Sequence, residues 1–427
     1  MISAWAASTF KALKYPEYRI LWFGTSFAFL AFMMSMIVQA VVAYDITGKN
    51  GAVGFVSLGM GIATILVSPF GGVVADRFSK KRMLFIGQTL IGINFAVVGI
   101  LIITDQITLL MLAASTLILG TVFSFIGPAR QAWIGELVPP QDLPNAIALQ
   151  QVGMTATRVF GPFVSAGLIA IAFIGTGGTY LFMAGLFVFV IFSLTLLPES
   201  KTIVRSNKSF FAEMGMGVKH MRERPRLGLL ALSFVGVIMG GFSYMVILPG
   251  LLENEFNRSS EQMAPLIGIS AISGFVVTIG IAGLAGSKWA WPIMLAGGAL
   301  LGGSIGLLAI SPNYLMALGS MFVLGIGASM FQLINNALIM KESDPAYHGR
   351  VMSITMLAWG FNSLVAWPFG LFADAVGERE TLLLMSAVVL SVTAATTFAG
   401  MLISGRGKPE TETEPTNVPV ATVAGGE

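Results

Sequence analysis

Gly71-Gly72-Val73-Val74-Ala75-Asp76-Arg77-Phe78-Ser79-Lys80-Lys81-Arg82 stands between two long apolar runs. Five charges fall in its last seven residues, four of them basic. Roughly 20 apolar residues span a bilayer as a helix, so this stretch reads as a short loop joining two membrane spans. Basic loops stay on the cytoplasmic side. The loop therefore orients its neighbours, and through them the chain.

The surrounding composition agrees. Of 427 residues, 55% are hydrophobic and 11% charged, and mean hydropathy is +0.83. Soluble domains carry about 25% charged residues, so this is an all-α integral membrane protein in contact with the lipid bilayer. Having no cysteine, it can form no disulfide, thiolate metal site or cysteine nucleophile. The pI near 9.1 does not point to nucleic acid, because the basic residues sit in loops between spans. Met1 to Phe10 lack the features of a cleaved signal peptide, and the first apolar run is expected to remain as a span.

Twelve spans are expected, at 19–44, 52–75, 82–103, 107–130, 145–173, 178–197, 227–250, 262–286, 289–310, 313–340, 350–373 and 381–403. Of the 24 Lys and Arg residues, only Lys49, Arg258 and Arg379 fall in loops of one parity, and Arg130 and Arg158 fall inside spans. All others lie on the opposite side with both termini, which places those termini in the cytoplasm.

The chain also repeats itself. Leu119-Gly120, Ala132, Ile134 and Pro140 recur 205 residues on as Leu324-Gly325, Ala337, Ile339 and Pro345, and Phe29, Met34 and Val41 recur as Phe234, Met239 and Val246. Two pseudo-symmetric six-helix bundles follow, at 1–197 and 227–404. Between them, residues 198–226 are charged, and Phe210, Phe211, Met214, Val218 and Met221 recur at helical spacing, which predicts a surface helix on the cytoplasmic leaflet. The polar tail 405–427 is expected to be disordered.

Motifs for catalysis are missing or misplaced. There is no phosphate-binding Gly-x4-Gly-Lys-Ser/Thr loop. Gly302-Gly303-Ser304-Ile305-Gly306 fits a nucleophile elbow but lies in an apolar span without the strand that motif needs. Neither an enzyme, a metal site nor a cofactor is expected. Charges inside spans are costly and default to functional candidates: Arg158 lies about halfway along span 5, and Arg130 near the end of span 4. Asn335 and Asn336 occupy the corresponding stretch of span 10. Gln39, Gln131, Gln332, Trp359 and Asn362 complete the polar and aromatic set. Asp45 and Glu136 are the carboxylates nearest the ends of spans, and no acidic residue lies deep. Neutral or anionic amphipathic ligands fit that charge pattern better than cations.

The opening loop resembles the signature between the second and third helices of the major facilitator superfamily, through Gly72, Asp76, Arg77, Lys80, Lys81 and Arg82. Ser79 stands where glycine is usual. Arg158-x-x-Gly161-Pro162, followed by Gly167, resembles part of the fifth-helix motif of superfamily exporters, a helix-bending motif associated with antiport. Lys14-Tyr15-Pro16-Glu17-Tyr18-Arg19, Pro140-x-x-Leu143-Pro144-Asn145-Ala146 and Gly349-Arg350-Val351-Met352-Ser353 resemble the branch of bacterial enterobactin exporters and macrolide-efflux proteins. The resemblance implies a monomeric secondary transporter of the bacterial cytoplasmic membrane that exports small amphipathic molecules in exchange for protons. The signature loop, with Arg350, is implied to gate the cytoplasmic side. A lipid translocator of the same fold and a non-transporting scaffold or sensor are the alternatives.

Overall fold

The computed structural model describes residues 11–200, 210–344 and 347–406. The tail after Arg406 and residues 201–209 of the connecting segment lie outside the described residues. Among the described residues, twelve helices are long and apolar enough to cross a membrane. Numbered as spans 1 to 12, they are Pro16–Thr47, Asn50–Arg77, Lys80–Ile103, Leu109–Leu137, Leu143–Ile169, Gly175–Thr195, Pro225–Gly241, Met263–Ile281, Ala290–Ala309, Tyr314–Glu342, His348–Val376 and Glu378–Arg406. A linker helix, Phe210–Glu223, precedes span 7.

Local chemistry sets the ends of these helices. Pro16, Pro144 and Pro225 stand in first turns, where no backbone donor is needed. Gly48, at φ 64°, closes span 1 in the left-handed region. Thr108 and Asn313, which are 205 residues apart, cap spans 4 and 10 by accepting from the Met111 and Met316 amides. Ser79 caps span 3 by accepting from the Arg82 amide. A glycine has no such oxygen, which gives Ser79 a local role in the loop.

The packing repeats as the sequence does. Spans 2 and 4, 3 and 6, and 1 and 6 pack together in the first bundle; their counterparts 8 and 10, 9 and 12, and 7 and 12 do so in the second. Small residues permit the closest of these approaches. A Cβ on Gly120 would lie 2.7 Å from the Ala63 Cβ of span 2, and one on its counterpart Gly325 would overlap the Ser270 carbonyl of span 8. Between the bundles, span 2 packs on span 11 and span 5 on span 8.

Span 7 departs from expectation. A single helix over 227–250 is predicted, yet the α-helix stops at Gly241. A 3-10 turn (Ser243–Val246), a short α turn (Leu248–Gly250) and a π turn (Leu251–Glu255) follow. Gly240 and Gly241 weaken the helix, and Pro249 supplies no amide hydrogen for the bond a continuous helix requires.

Overpacking a tight contact costs about 1–3 kcal/mol. Gly120→Val and Gly325→Val should each lower the melting temperature of the purified protein by several degrees. Gly303→Val, at a helical site with nothing within 4 Å of the added carbon, should leave it within a degree. Equal melting of all three would show that these approaches do not hold the bundles.

Candidate functional site

Two adjoining pockets lie where the bundles meet and share Met36, Gln39, Ser57 and Ser363. Spans 1 and 2 and the broken part of span 7 supply most of the wall, with Asn362, Ser363 and Ala366 from span 11. The larger pocket holds only about 70 Å³, far below the ~300–1,000 Å³ of ordinary ligand sites, so this is a narrowed apex. Its wall mixes methionine and aromatic surface with isolated polar groups. Ser243 Oγ lies 3.0 Å from Asn362 Oδ1, and Trp359 meets Phe242 edge to face at 5.1 Å. No hydrogen bond joins Gln39 to another described residue.

Both in-span arginines belong to the first bundle. Arg130 is 7% exposed, and its guanidinium lies 4.8 Å above the centre of the Phe29 ring. Phe29 and Phe32 both pack on Phe123, and Phe32 reaches the pocket wall. Arg158 is solvent-accessible but surrounded by protein. No carboxylate among the described residues pairs with either arginine.

The far face, opposite the basic loops, is closed by a hydrogen-bonded latch between bundles. The backbone amides of Asn50 and Gly51, which open span 2, donate to the two carboxylate oxygens of Asp374 at 2.7 and 2.8 Å. Asp374 thus caps a helix of the other bundle, where the helix dipole favours a negative charge. Asn50 Nδ2 and Asn254 Nδ2 donate to Glu378 Oε1, and the Gly250 amide donates to Asn50 Oδ1. Ser260 donates to Asp45. Glycines bring spans 2 and 11 together beneath the latch: a Cβ on Gly54 would strike the Trp367 backbone, and one on Gly370 the Asn50 carbonyl.

On the basic face, two of the stretches quoted above meet each other. Asp142 binds Lys11 at 2.7 Å, Lys14 at 3.1 Å and the Tyr15 hydroxyl at 2.8 Å. The Ala12 amide donates to Asn145, Tyr18 to the Ala146 carbonyl and Trp22 to the Leu149 carbonyl. The Lys11, Tyr15 and Lys14 contacts hold the Asp142 carboxyl well below the usual carboxylate range. The third stretch joins the linker helix. His220 stacks on Tyr347 at 4.2 Å, Arg224 grips Asp344 with two 2.8 Å bonds, and the Arg350 guanidinium lies 5.0 Å over the Tyr347 ring. The linker helix thus docks on protein instead of lying only on lipid.

The remaining site expectations separate. Lys80 pairs with Glu136 at 2.8 Å and Lys81 reaches the Leu197 carbonyl, so Glu136, Lys80 and Lys81 bind within the first bundle and Glu136 does not line the pockets. Arg82 and Gln131 are exposed. Asn335 is fully buried against span 7 and span 9, donating toward the Leu230 carbonyl and Met294 sulfur; it is a packing residue and not a cavity one. Asn336 keeps a buried oxygen without a partner, and Gln332 is half-buried. Asp45 belongs to the latch. Gly161 lets span 5 approach Met33 of span 1, Gly167 faces open space, and span 5 continues as helix through Pro162. Gly72, Asp76 and Arg77 lie on a helical backbone, and their side chains fall outside the described set. Sequence reading missed Asn50, Gly250, Asn254 and Glu378 as one site, since their only local sign is polarity at span ends.

The family model described as Major Facilitator Superfamily matches residues 21–367. The chain belongs to the major facilitator superfamily. It is similar to macrolide efflux protein A of Streptococcus pyogenes, 22% identical over 89% of this chain and 96% of that protein. The staphyloferrin A transporter of Staphylococcus aureus (strain NCTC 8325 / PS 47) is also 22% identical, over 86% of this chain and 93% of that protein. Among solved structures, a bacterial homologue of the human lysosomal transporter Spinster superposes with a TM-score of 0.74 at 13% identity, covering 92% of this chain and 98% of that one. This superfamily member is a multi-pass membrane transporter of small molecules.

A carboxylate held below its unfolded value near 3.9 contributes stability that is complete above that value and is lost as pH falls through its lowered one. Hydrogen exchange of residues 11–18 should therefore show the same protection at pH 8 and pH 5. Asp142→Asn should lose protection there at both pH values, with spans 7 to 12 unchanged. Protection in the variant equal to that of the parent would remove Asp142 from this contact.

Proposed function

We propose that this transporter is a secondary exporter of small amphipathic molecules, siderophore-, macrolide- or drug-like, which alternates between two openings in exchange for protons. The observation that carries the reading is a polar-and-methionine apex closed from one side by hydrogen bonds between bundles. The close span 2 and span 11 contacts lie between residues 50–65 and 360–374, on the far side of the apex. The cavity then opens toward the basic face. We read that face as cytoplasmic, with both termini inside a bacterial cytoplasmic membrane and the chain working as a monomer. The efflux and siderophore-transport names of its relatives support that substrate class. Residues 1–197 and 227–404 act as the moving bodies, and 198–226 joins them.

Alternation requires the closed and open faces to exchange. Arg350 rests on Tyr347 in this state. When the basic face closes, Asp76, at the end of span 2, engages the start of span 11 together with Arg350. The carboxylates whose bonds cross between bundles, Asp45, Asp374 and Glu378, all lie at the far face. Protonation there removes an acceptor, so protons arriving from outside favour release of the latch.

Hydrogen bonds to a charged group contribute about 1.5–3 kcal/mol, so Asp374→Asn should raise the outward-open population roughly 10- to 100-fold. Because the native chain has no cysteine, Ser57→Cys gives a clean reporter. An impermeant maleimide added outside should label it faster in the Asp374→Asn background. Unchanged labelling, with unchanged proton-driven flux of a macrolide in proteoliposomes, would refute the alternating latch.

Orientation is tested separately. A reporter active only in the cytoplasm should give signal when fused after Gly405 or inserted near Asn207, and none after Arg258. Signal at Arg258 would reverse the second bundle.

A further inference from the structure

We infer that Arg130 and Arg158 form one anion-binding site at mid-depth on the first bundle, taking the carboxylate of an amphipathic organic anion whose apolar body lies on Phe29, Phe32 and Phe123. The inference rests on the reading of the cavity as a transport path and adds the charge of what travels through it.

The two arginines come from different helices, and the register of spans 1 and 5 brings them to one level. Tyr18 donates to the Ala146 carbonyl across a separation of 128 residues and Trp22 to the Leu149 carbonyl across 127. Gly161 faces Met33 with the same spacing. Both helices run in the same direction, so Arg158 stands level with Leu30. The Arg130 guanidinium lies over the ring of Phe29, the preceding residue. Residues 29 and 30 are near the middle of the 32-residue span 1. Two cations thus reach the same depth, remote from both aqueous faces.

The direction of Arg158 follows from its helix. Gln151, Thr155 and Arg158 recur at intervals of four and three, which places them on one face of span 5. Val152, Phe160 and Phe163 occupy another face and are all exposed, as lipid-facing residues are, with Phe163 touching Gly268 of span 8 at the rim. Arg158 is accessible while enclosed by protein, which describes a wall of the space between bundles. Arg130 reaches that space through the aromatic group on which it sits: Phe32 contacts Phe123 at 4.4 Å and lines the pocket.

Energetics call for an anion. A charge removed from water costs several kcal/mol unless it is paired and hydrogen-bonded. Buried arginines in structural roles meet this cost with a carboxylate or several carbonyls. Neither of these has a hydrogen bond or ion pair to another described residue, and the ring beneath Arg130 is its one recorded partner. An aromatic face supplies roughly 2 kcal/mol when desolvated, less than the penalty. Guanidinium groups bind carboxylates through paired N–H donors. A ligand carboxylate at this level would neutralise charge on both helices, and the three phenylalanines would take up its apolar part. A quaternary ammonium ligand would meet only repulsion.

The test uses purified full-length protein in zwitterionic nanodiscs and two fluorescent probes, 1-pyrenebutyrate and a pyrenylalkyl trimethylammonium. Binding is read by energy transfer from tryptophan. The native protein should bind the carboxylate at least tenfold more tightly than the cation. Arg130→Gln and Arg158→Gln should each weaken carboxylate binding about tenfold, Arg158→Lys should retain part of it, and none should weaken binding of the cation. Equal affinity for both probes, or carboxylate binding unchanged in the double Gln variant, would overturn the site. So would variants that lower the melting temperature but keep the preference between probes. Proteoliposomes prepared from the same protein separate this inference from the reading beneath it. Selective carboxylate binding without flux of any substrate would leave the site standing and remove the exporter, whereas macrolide flux with no probe preference would do the reverse.

Discussion

A peptide group in hydrocarbon must find its hydrogen-bond partner within the protein, and the architecture depends on that constraint. It makes every crossing a helix and turns the problem of assembly into one of how closely helices can approach. Lipid tails are as apolar as leucine, so contact between helices gains little from hydrophobicity and much from packing. Gly120 against span 2 and Gly325 against span 8 solve the same problem twice. The same constraint gives the far face its form. The first amides of span 2 have no partner in their own helix, and Asp374, brought from the other bundle, satisfies two of them. A helix end left open within one bundle becomes the means of closing the pair.

Much of this was legible in the chain. The twelve spans follow from hydropathy, and the doubled architecture from the 205-residue repeat, which extends to the helix caps Thr108 and Asn313. Quoted motifs that are distant in sequence meet in space: the stretch around Tyr15 is held by the one around Asp142. The reading failed where a residue's partner lies far off and local composition says nothing. Asn335 looked like a cavity amide because Arg130 is its repeat counterpart, yet its helix turns it into the packing of spans 7 and 9. Glu136 looked available until Lys80 was found beside it. Asn50 and Glu378 are separated by 328 residues, and no pattern in either neighbourhood announces the other.

The two charged systems of the molecule differ in kind. At the basic face, carboxylates meet cations: Asp142 with lysines, Glu136 with Lys80, Asp344 with Arg224. Such pairs are screened by salt where they are exposed. At the latch, Asp374 and Glu378 are met by backbone and side-chain amides. A proton cannot be taken up by an amide in this range, so the protonation of these contacts rests on the carboxylate alone. One face is arranged around ion pairs and the other around neutral donors, and the two respond to different variables in the surrounding water.

The broken end of span 7 gives this difference a mechanical side. Ser243, Met245 and Val246 form part of the pocket wall, and the next turns of the same backbone carry the Gly250 amide and the Asn254 side chain that donate to the latch. Between them the chain passes through 3-10, α and π turns, whose windings differ by about one residue per turn. Exchanging one winding for another rotates everything beyond it by a large fraction of a turn with little change in length. Span 7 is therefore a crank. Pressure on the pocket wall is delivered to the latch as torque, along a short stretch of main chain, and neither bundle has to deform for it to arrive.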